Sequence, residues 1–322
     1  MNELAYRAAE RRLWRSIGAH PTERIIHLDR IGVDVRLQEV GSGPPVLFIH
    51  GIATSGVSWA ALAARATGFR CLIVDRPGTG LSQPLTRSVD HTTLAELSDV
   101  FVADVLDALE LPSAHVVASS LGGYVALRSA AATPERVERM VQFSWPVGAP
   151  TNNLPVLLRA LSLPGFRRLF ERLPRTERSV RILLERMGHR EKLLDGRISQ
   201  LDIDCYVALM LHTDTMRNEL APVPAVMSPL RGLERLHLDD EVLSRVVCPT
   251  LFVWGARDPF GGEAVARAIA GRLPNADLDL LPDAGHSPWL DDMDACVLRM
   301  TDHLRGAATR HSGAEPLTAL AS

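Results

Sequence analysis

Residues 115–124 hold the side chain most able to do chemistry, because a short apolar run ends there at two adjacent serines. Ser119 and Ser120 are followed by a leucine, two glycines and a helical stretch (124–132). A serine at a sharp turn between a strand and a helix is the layout of a nucleophile elbow, which lifts the hydroxyl clear of the sheet. The alternative interpretation is a serine-rich loop before an ordinary helix.

The spacing of small residues selects Ser120 as the candidate nucleophile. In the pattern Gly-x-Ser-x-Gly, Ser120 places Ala118 and Gly122 in the two glycine positions. Ser119 would place a valine and a leucine there, and both side chains are too large to sit against the helix that follows. Ala118 differs from the glycine of the pattern by only one methyl group.

A serine hydroxyl becomes a strong nucleophile when a base removes its proton and an acid orients that base. The candidate base is His286, on a loop between Gly285 and Pro288 after the last predicted strand. The candidate acid is Asp258, which follows a strand and its exit turn (250–257). Taken singly, each has an ordinary interpretation, as a loop histidine and a turn aspartate.

Three other carboxylates compete for the role of the acid. Asp239 and Asp240 precede a predicted helix and look like helix caps. Asp283 lies too close to the end of the strand before His286 to orient that histidine easily. The loop after the predicted strand 140–143 contains no carboxylate, so Asp258 stays the preferred acid.

Two backbone N–H groups are candidates for binding the negative oxygen that develops during acyl transfer. One belongs to Leu121, directly after the candidate nucleophile. The other belongs to Ile52, in a turn (50–56) where Gly51 lets the chain bend back. An ordinary strand-to-helix turn is the alternative for this second segment.

Composition limits the class of protein. The 322 residues are 46% hydrophobic, with 35 basic and 38 acidic side chains, so nothing points to nucleic acid. The N-terminus (1–20) is charged and lacks the apolar core of a signal peptide, and no segment is apolar enough to span a bilayer. We therefore expect a cytoplasmic protein without membrane, metal or cofactor. Buried free thiols are predicted for Cys71, Cys205, Cys248 and Cys296.

Short apolar strands alternate with helical stretches, which predicts an α/β fold with a mostly parallel sheet flanked by helices. An opening hairpin is predicted over residues 25–28 and 33–40. The further predicted strands are 46–49, 71–74, 115–118, 140–143, 248–254 and 278–281. The predicted helices are 1–17, 59–66, 94–111, 124–132, 262–273 and 291–304. The first of these is interpreted as an arm packed on its own domain or on a second subunit.

Residues 146–241 interrupt this alternation, because they contain no strand-like run and are far longer than an ordinary strand-to-strand connection. We interpret them as an inserted helical cap. The predicted cap helices are 154–161, 166–173, 176–187, 202–212 and 229–236. Around the cap lie the two parts of the core, 1–145 (with the helical arm 1–20) and 242–307, before a flexible tail, 308–322. Trp145, Phe166 and Met210 are predicted to contact substrate.

Five segments together resemble the capped, serine-dependent branch of the α/β-hydrolase superfamily. They are 50–51, 75–82, 119–123, 255–259 and 285–289. The resemblance covers about residues 23 to 305. It implies an eight-stranded sheet whose second strand is antiparallel, and a pocket between core and cap. The order Ser120, Asp258, His286 is the chain order of the triad in that family.

The resemblance narrows the chemistry. Related dehalogenases and epoxide hydrolases use an aspartate at the elbow, so Ser120 argues against both. Related carbon–carbon bond hydrolases usually carry a glycine-rich turn where this chain has Ile52 and Ala53. We therefore predict hydrolysis of a carboxylic ester or lactone of a hydrophobic small molecule through an acyl-enzyme. Carbon–carbon bond hydrolysis, acyl transfer and a slow or non-catalytic receptor stay open, as do a monomer and a homodimer.

Overall fold

The computed structural model describes residues 2–151 and 154–306, and a single sheet lies at its centre. The strands are β1 (Thr22–Leu28), β2 (Val33–Gly41), β3 (Pro45–Ile49), β4 (Arg70–Val74), β5 (Ala114–Ser119), β6 (Val137–Phe143), β7 (Thr250–Gly255) and β8 (Ala276–Leu281). Their order across the sheet is β1-β2-β4-β3-β5-β6-β7-β8. β2 is antiparallel to both its neighbours, and the other pairings are parallel. The eight-stranded, mostly parallel sheet with an antiparallel second strand is therefore confirmed.

Helices cover both faces of this sheet. Those outside the long connection between β6 and β7 are α1 (Glu3–Ser16), α2 (Ala60–Arg65), α3 (His91–Ala108), α4 (Leu121–Ala132), α13 (Glu263–Ala270) and α14 (Met293–Leu304). Successive residues of β3 enter two different hydrophobic clusters, Phe48 on one face and Leu47 and Ile49 on the other. Burial on both faces explains why the central strands are continuous apolar runs. None of the helices in the described part of the chain is long and apolar enough to cross a membrane.

The connection between β6 and β7 contains eight helices in its described part, and we call residues 146–249 the helical insertion. The helices are α5 (Val156–Ala160), α6 (Pro164–Glu171), α7 (Glu177–Leu184), α8 (Arg190–Leu194), α9 (Gln200–His212), α10 (Thr215–Leu220), α11 (Val223–Val226) and α12 (Asp240–Leu243). A π-helical turn, Glu185–His189, joins α7 to α8, with Gly188 at φ 94°.

One predicted helix of the insertion is wrong, and three helices were not predicted. Residues 229–236 do not form one helix, because Ser228 and Gly232 exchange two backbone hydrogen bonds across a tight turn. Gly232 has a φ of 58°, outside the helical range, and only Glu234–Leu236 form a short 3₁₀ turn. The unpredicted helices, α8, α10 and α11, have at most six residues each, too few to show a helical period in the sequence. The predicted flexible tail, 308–322, lies outside the described residues.

The N-terminal helix α1 packs on its own chain. Tyr6, Leu13 and Trp14 are buried in the cluster that covers one face of the sheet. The Asn2 N–H donates to the carbonyl oxygen of His212 on α9, at 3.1 Å, so the helix also contacts the insertion. The Tyr6 hydroxyl lies 2.8 Å from the Ser55 hydroxyl, which places α1 directly behind the turn at 50–56.

Buried charge fixes α1 to the sheet. The Arg36 guanidinium donates to both carboxylate oxygens of Glu10, at 2.9 and 2.7 Å, and to Asp75 at 3.4 Å. Burial raises the pKa of Glu10 above its ordinary value, although the adjacent guanidinium opposes the shift. The four cysteines are buried free thiols, as predicted.

Candidate active site

Ser120 stands at a strained corner between β5 and α4. Its backbone has φ 54° and ψ −120°, a conformation that a residue with a side chain rarely adopts without a functional or structural reason. Its carbonyl oxygen accepts the N–H groups of Tyr124 and Val147, which hold the corner from both sides. The side chain therefore projects at the carboxyl end of β5, where ligands of parallel α/β sheets bind.

Two glycines let α4 approach the sheet closely enough to form this corner. A Cβ at Gly122 would lie 2.2 Å from the Ile49 carbonyl oxygen and 2.7 Å from that of His50. A Cβ at Gly123 would lie 2.3 Å from the Gln142 side chain. The small residues expected of a nucleophile elbow are therefore required by contacts with β3 and β6.

Gly122→Ala is expected to lower both stability and activity. The added methyl group meets backbone that cannot rotate away, and overpacking of this kind costs about 1–3 kcal/mol. The displaced carbonyls lead directly into the turn beside Ser120, so we expect at least a tenfold lower kcat/KM on whichever ester is turned over. Thermal unfolding and steady-state kinetics measure the two effects. Gly165→Ala is the control, because a Cβ there meets nothing within 4 Å; equal losses in both variants would contradict the prediction.

The structure brings the predicted acid and base together. The His286 Nδ1 atom lies 2.8 Å from Asp258 Oδ2, although the two residues follow different strands, β8 and β7. Asp258 also accepts the N–H groups of Trp145 at Oδ2 (3.1 Å) and of Phe260 at Oδ1 (2.9 Å). A carboxylate held by three N–H donors keeps the imidazole in the tautomer that carries its proton on Nδ1.

The rival acids have other partners. Asp239 caps α12 by accepting the N–H of Val242 at 2.9 Å, as expected of a helix cap. Asp240 and Asp283 are exposed and pair with arginines, Arg272 and Arg257 respectively.

A second histidine–aspartate pair supports the loop of the base. His189 Nδ1 lies 2.8 Å from Asp291 Oδ2, and the same oxygen accepts the Gly285 N–H at 2.8 Å. His189 Nε2 accepts the Ser287 N–H at 3.2 Å, and the carbonyl oxygen of Met187 accepts the His286 N–H at 2.9 Å. Three consecutive N–H groups of the loop are therefore held.

This second pair is a support and not a rival base. The buried His189 uses both ring nitrogens in these contacts, so neither is left to take a proton from a nucleophile. His189 lies inside the helical insertion and not after a strand, so its position in the sequence does not indicate a catalytic base. The sequence carried no signal for the pair, since its members lie 102 positions apart and meet only through folding.

The predicted oxyanion turn passes beside Ser120. A Cβ at Gly51 would lie 3.0 Å from Ser120 Cβ and 3.6 Å from Ser120 Oγ, so the residue type keeps this space open. Within residues 2–151 and 154–306, the N–H groups of Ile52 and Leu121 donate to no protein acceptor. Both predicted donors are therefore available to a bound oxygen atom.

The three predicted triad side chains are all nearly buried, with exposed fractions of 7% for Ser120, 5% for Asp258 and 6% for His286. Among the described residues, Ser120 Oγ makes no hydrogen bond to His286. In enzymes that use such a triad, the hydrogen bond from nucleophile to base is often long without substrate and tightens when substrate binds. Contact between Ser120 and His286 therefore stays a prediction.

The predicted substrate contacts fall in two places. Phe166 and Met210 are half-buried against an apolar cluster of the insertion that also contacts Ala53 of the turn. Trp145 lies instead behind the acid–base pair, where its buried ring stacks on Phe260 at a centroid distance of 5.0 Å. The Phe260 ring in turn meets the edge of His286 at 4.7 Å. Contact of these three side chains with substrate stays a prediction.

Solved structures share this fold over most of the chain. A 2-hydroxy-6-oxo-6-phenylhexa-2,4-dienoate hydrolase from Rhodococcus sp. strain RHA1 superposes with a TM-score of 0.72, at 18% identity, covering 89% of this chain and 99% of that one. A naproxen esterase from Bacillus subtilis superposes with a TM-score of 0.70, at 17% identity, covering 93% and 97%. At these identities the likeness establishes the fold alone.

Curated relatives are closer in sequence. A pimeloyl-[acyl-carrier protein] methyl ester esterase from Chromobacterium violaceum is 30% identical over 284 residues, covering 84% of this chain and 98% of that protein. A 2-hydroxy-6-oxononadienedioate/2-hydroxy-6-oxononatrienedioate hydrolase from Cupriavidus pinatubonensis is 26% identical over 258 residues, covering 78% and 84%. The sequence model of the alpha/beta hydrolase family matches residues 46–298. Because this match includes six of the eight strands, β3 to β8, and all the predicted site residues, the chain belongs to the alpha/beta hydrolase family.

Proposed function

We propose that this protein is a serine hydrolase that cleaves a carboxylic ester or lactone of a hydrophobic small molecule without a metal or organic cofactor. The observation that carries the proposal is the contact of 2.8 Å between Asp258 and His286. Ser120 stands at a strained corner and is linked to this pair through residues 145–147, because its carbonyl oxygen accepts the Val147 N–H and Asp258 accepts the Trp145 N–H. Family membership adds support, because the curated relatives described above are named as a methyl ester esterase and as a dienedioate/trienedioate hydrolase. An esterase with 30% identity favours the ester over other bonds.

In the proposed reaction, Ser120 Oγ attacks the carbonyl carbon while His286 Nε2 takes the hydroxyl proton. The Ile52 and Leu121 N–H groups bind the oxygen that becomes negative. When the tetrahedral intermediate collapses, the bond from carbon to the alcohol oxygen breaks and His286 returns the proton to that oxygen. Water then attacks the acyl-enzyme with His286 as base, which releases the acid and restores Ser120. Asp258 stays ionised and stabilises the imidazolium formed in each half.

Residues 146–241 of the helical insertion are proposed to act as the cap of this site, between core parts 1–145 and 242–307. The part of this cap next to the oxyanion turn is apolar, since Leu161, Phe166, Met210 and Met216 lie in one cluster that also contacts Ala53. This favours a hydrophobic acyl or alcohol group.

Carbon–carbon bond hydrolysis is the second candidate. It would use the same three side chains, and the relative from Cupriavidus pinatubonensis, named for dienedioate and trienedioate substrates, favours it. A panel that contains 4-nitrophenyl esters of increasing acyl length, aromatic and aliphatic lactones, and a 2-hydroxy-6-oxo-dienoate separates the two. Turnover confined to the dienoate would replace the ester assignment.

Labelling with a fluorophosphonate probe tests the proposal before any substrate is known. We expect stoichiometric modification of Ser120, located by mass spectrometry of the modified peptide, and loss of labelling in His286→Ala. The ester and lactone panel then identifies the substrate class. Absence of labelling in folded protein would contradict an activated serine, and labelling without turnover of any panel member would favour acyl transfer or a receptor.

A further inference from the structure

We infer that Glu219 of the helical insertion and Arg76 of the core are positioning residues, which fix the Ile52 N–H in the orientation that binds the substrate oxygen. Through them, docking of α10 on the core sets the geometry of the oxyanion site. The inference rests on the proposed function, because it assigns these residues a role in the same acyl transfer. It is carried by the hydrogen bonds around one peptide group.

That peptide group joins Gly51 to Ile52. The Gly51 carbonyl oxygen lies within hydrogen-bond distance of Arg76 Nη2 (2.9 Å), Thr54 Oγ1 (2.9 Å) and His50 Nδ1 (2.8 Å). A trans peptide is planar, and its N–H points opposite to its C=O. Holding the carbonyl oxygen at three donors therefore holds the Ile52 N–H in the opposite direction.

His50 contributes as a neutral donor. Its Nε2 accepts the backbone N–H of Arg76 at 3.0 Å, which leaves the proton on Nδ1, where it faces the Gly51 carbonyl oxygen. Burial lowers the pKa of His50 well below its ordinary value, and the nearby Arg76 charge lowers it further. The ring is therefore neutral near pH 7 and keeps its proton on Nδ1.

Arg76 connects the turn to the insertion. Its Nε donates to the His50 carbonyl oxygen at 3.0 Å and its Nη2 to the Gly51 carbonyl oxygen. Nη2 also donates to Glu219 Oε1 at 3.0 Å, and both side chains are only 8% exposed. A buried ion pair with this many additional hydrogen bonds is a rigid link.

Glu219 holds the next peptide group as well. Its second oxygen, Oε2, accepts the Ala53 N–H at 3.1 Å. Ala53 has a φ of 56°, so this contact stabilises a backbone conformation that alanine seldom adopts. The peptide groups on both sides of the Ile52 α-carbon are therefore fixed, one by Arg76 and one by Glu219. A residue held at both neighbouring peptides has little freedom to rotate its N–H.

The helix that carries Glu219 has a second, separate attachment to the core. Asn218 Nδ2 donates at 2.8 Å to the carbonyl oxygen of Gly78, an atom that makes no hydrogen bond with Ile52 or Ala53. Asn218 therefore provides a matched control: its replacement loosens the same helix without removing a contact from Ile52 or Ala53.

The experiment compares Glu219→Ala, Glu219→Gln and Asn218→Ala in the full chain, with 4-nitrophenyl butyrate as the probe substrate. Removing one oxyanion donor costs about 10²–10³ in kcat; we expect a smaller loss, about 10- to 100-fold, for a misoriented donor in Glu219→Ala, with KM changed less than about threefold. Glu219→Gln keeps one acceptor oxygen and is expected to lose less. Asn218→Ala is expected to stay within about twofold of the parent.

A readout independent of turnover keeps this test separate from the proposed function. Hydrogen–deuterium exchange followed by mass spectrometry is measured on the peptide that covers residues 50–56. Faster exchange there in Glu219→Ala but not in Asn218→Ala supports the positioning role, even if 4-nitrophenyl butyrate is not hydrolysed by the parent. Unchanged exchange in Glu219→Ala, or equal effects of Glu219→Ala and Asn218→Ala on kcat, would overturn it.

Discussion

Ser120→Ala is expected to reduce ester hydrolysis by at least about 10⁴-fold, since losing the nucleophile of a serine hydrolase leaves only binding and oxyanion stabilisation. The fold should be retained. Ser120 Oγ makes no hydrogen bond among the described residues, and alanine replaces only that hydroxyl. We therefore expect a melting temperature within about 2 °C of the parent. Steady-state kinetics, fluorophosphonate labelling and thermal unfolding measure the three consequences.

Ser119→Ala is the matched control for this result. Ser119 is the adjacent serine, is almost equally buried and ends β5. Because its backbone lies in the strand and not at the strained corner, its hydroxyl is not placed for attack. We expect activity within about threefold of the parent. The assignment of the nucleophile would be wrong if Ser119→Ala abolished labelling while Ser120→Ala kept it.

Asp258→Asn is expected to lower kcat by about 10³- to 10⁴-fold, because it removes the charge that stabilises the imidazolium and disturbs the tautomer. The structure explains why an amide cannot substitute. Both carboxylate oxygens face only N–H donors, from Trp145, Phe260 and His286. An amide nitrogen at either position would point its own N–H groups at another N–H donor, so the hydrogen bond would be lost. If it replaces Oδ2, His286 must turn its acceptor nitrogen toward the amide, which moves the proton to the nitrogen that should accept from Ser120.

Asp283→Asn is the control for Asp258→Asn. It tests whether the loss of activity depends on which carboxylate is removed. Asp283 is the rival acid nearest to the base along the chain, but it is exposed and pairs with Arg257. An exposed ion pair contributes about 0–1 kcal/mol, so its loss should leave kcat/KM within about twofold. If Asp283→Asn lost as much activity as Asp258→Asn, the assignment of Asp258 as the acid would be contradicted.

In the proposed mechanism, the helical insertion contributes hydrogen bonds that hold the catalytic loops, in addition to covering the site. Met187 and His189 hold the N–H groups of the base loop, and Glu219 holds that of the oxyanion turn. Displacing the insertion would therefore loosen both the base and the oxyanion donor. The apolar cluster of the insertion packs against Ala53, next to these same contacts.

The sequence alone determined that the chain forms a mostly parallel sheet and that Ser120 lies at a turn between a strand and a helix. It also indicated Asp258 and His286 as the side chains that would act with Ser120. Strands buried on both faces must be apolar throughout, and an elbow requires small neighbours, so both leave local patterns that can be read without a structure. Ser120, Asp258, His286 and the turn at Gly51 each follow the end of a predicted strand, which is why the sequence could point to them. The structure places the Asp258 and His286 side chains 2.8 Å apart.

Only the tertiary structure decided which distant side chains hold this constellation in place. Arg76 and Glu219 lie 143 positions apart, and His189 and Asp291 lie 102 apart. Such pairs leave no periodicity or turn signature, because each residue alone resembles an ordinary surface charge or loop residue. The insertion shows the same limit: a helix predicted over 229–236 is replaced by a turn, since the positive φ of Gly232 and the pairing with Ser228 outweigh local propensity. Local backbone geometry constrains residue type directly, whereas contacts between separate segments constrain it only once the chain has folded.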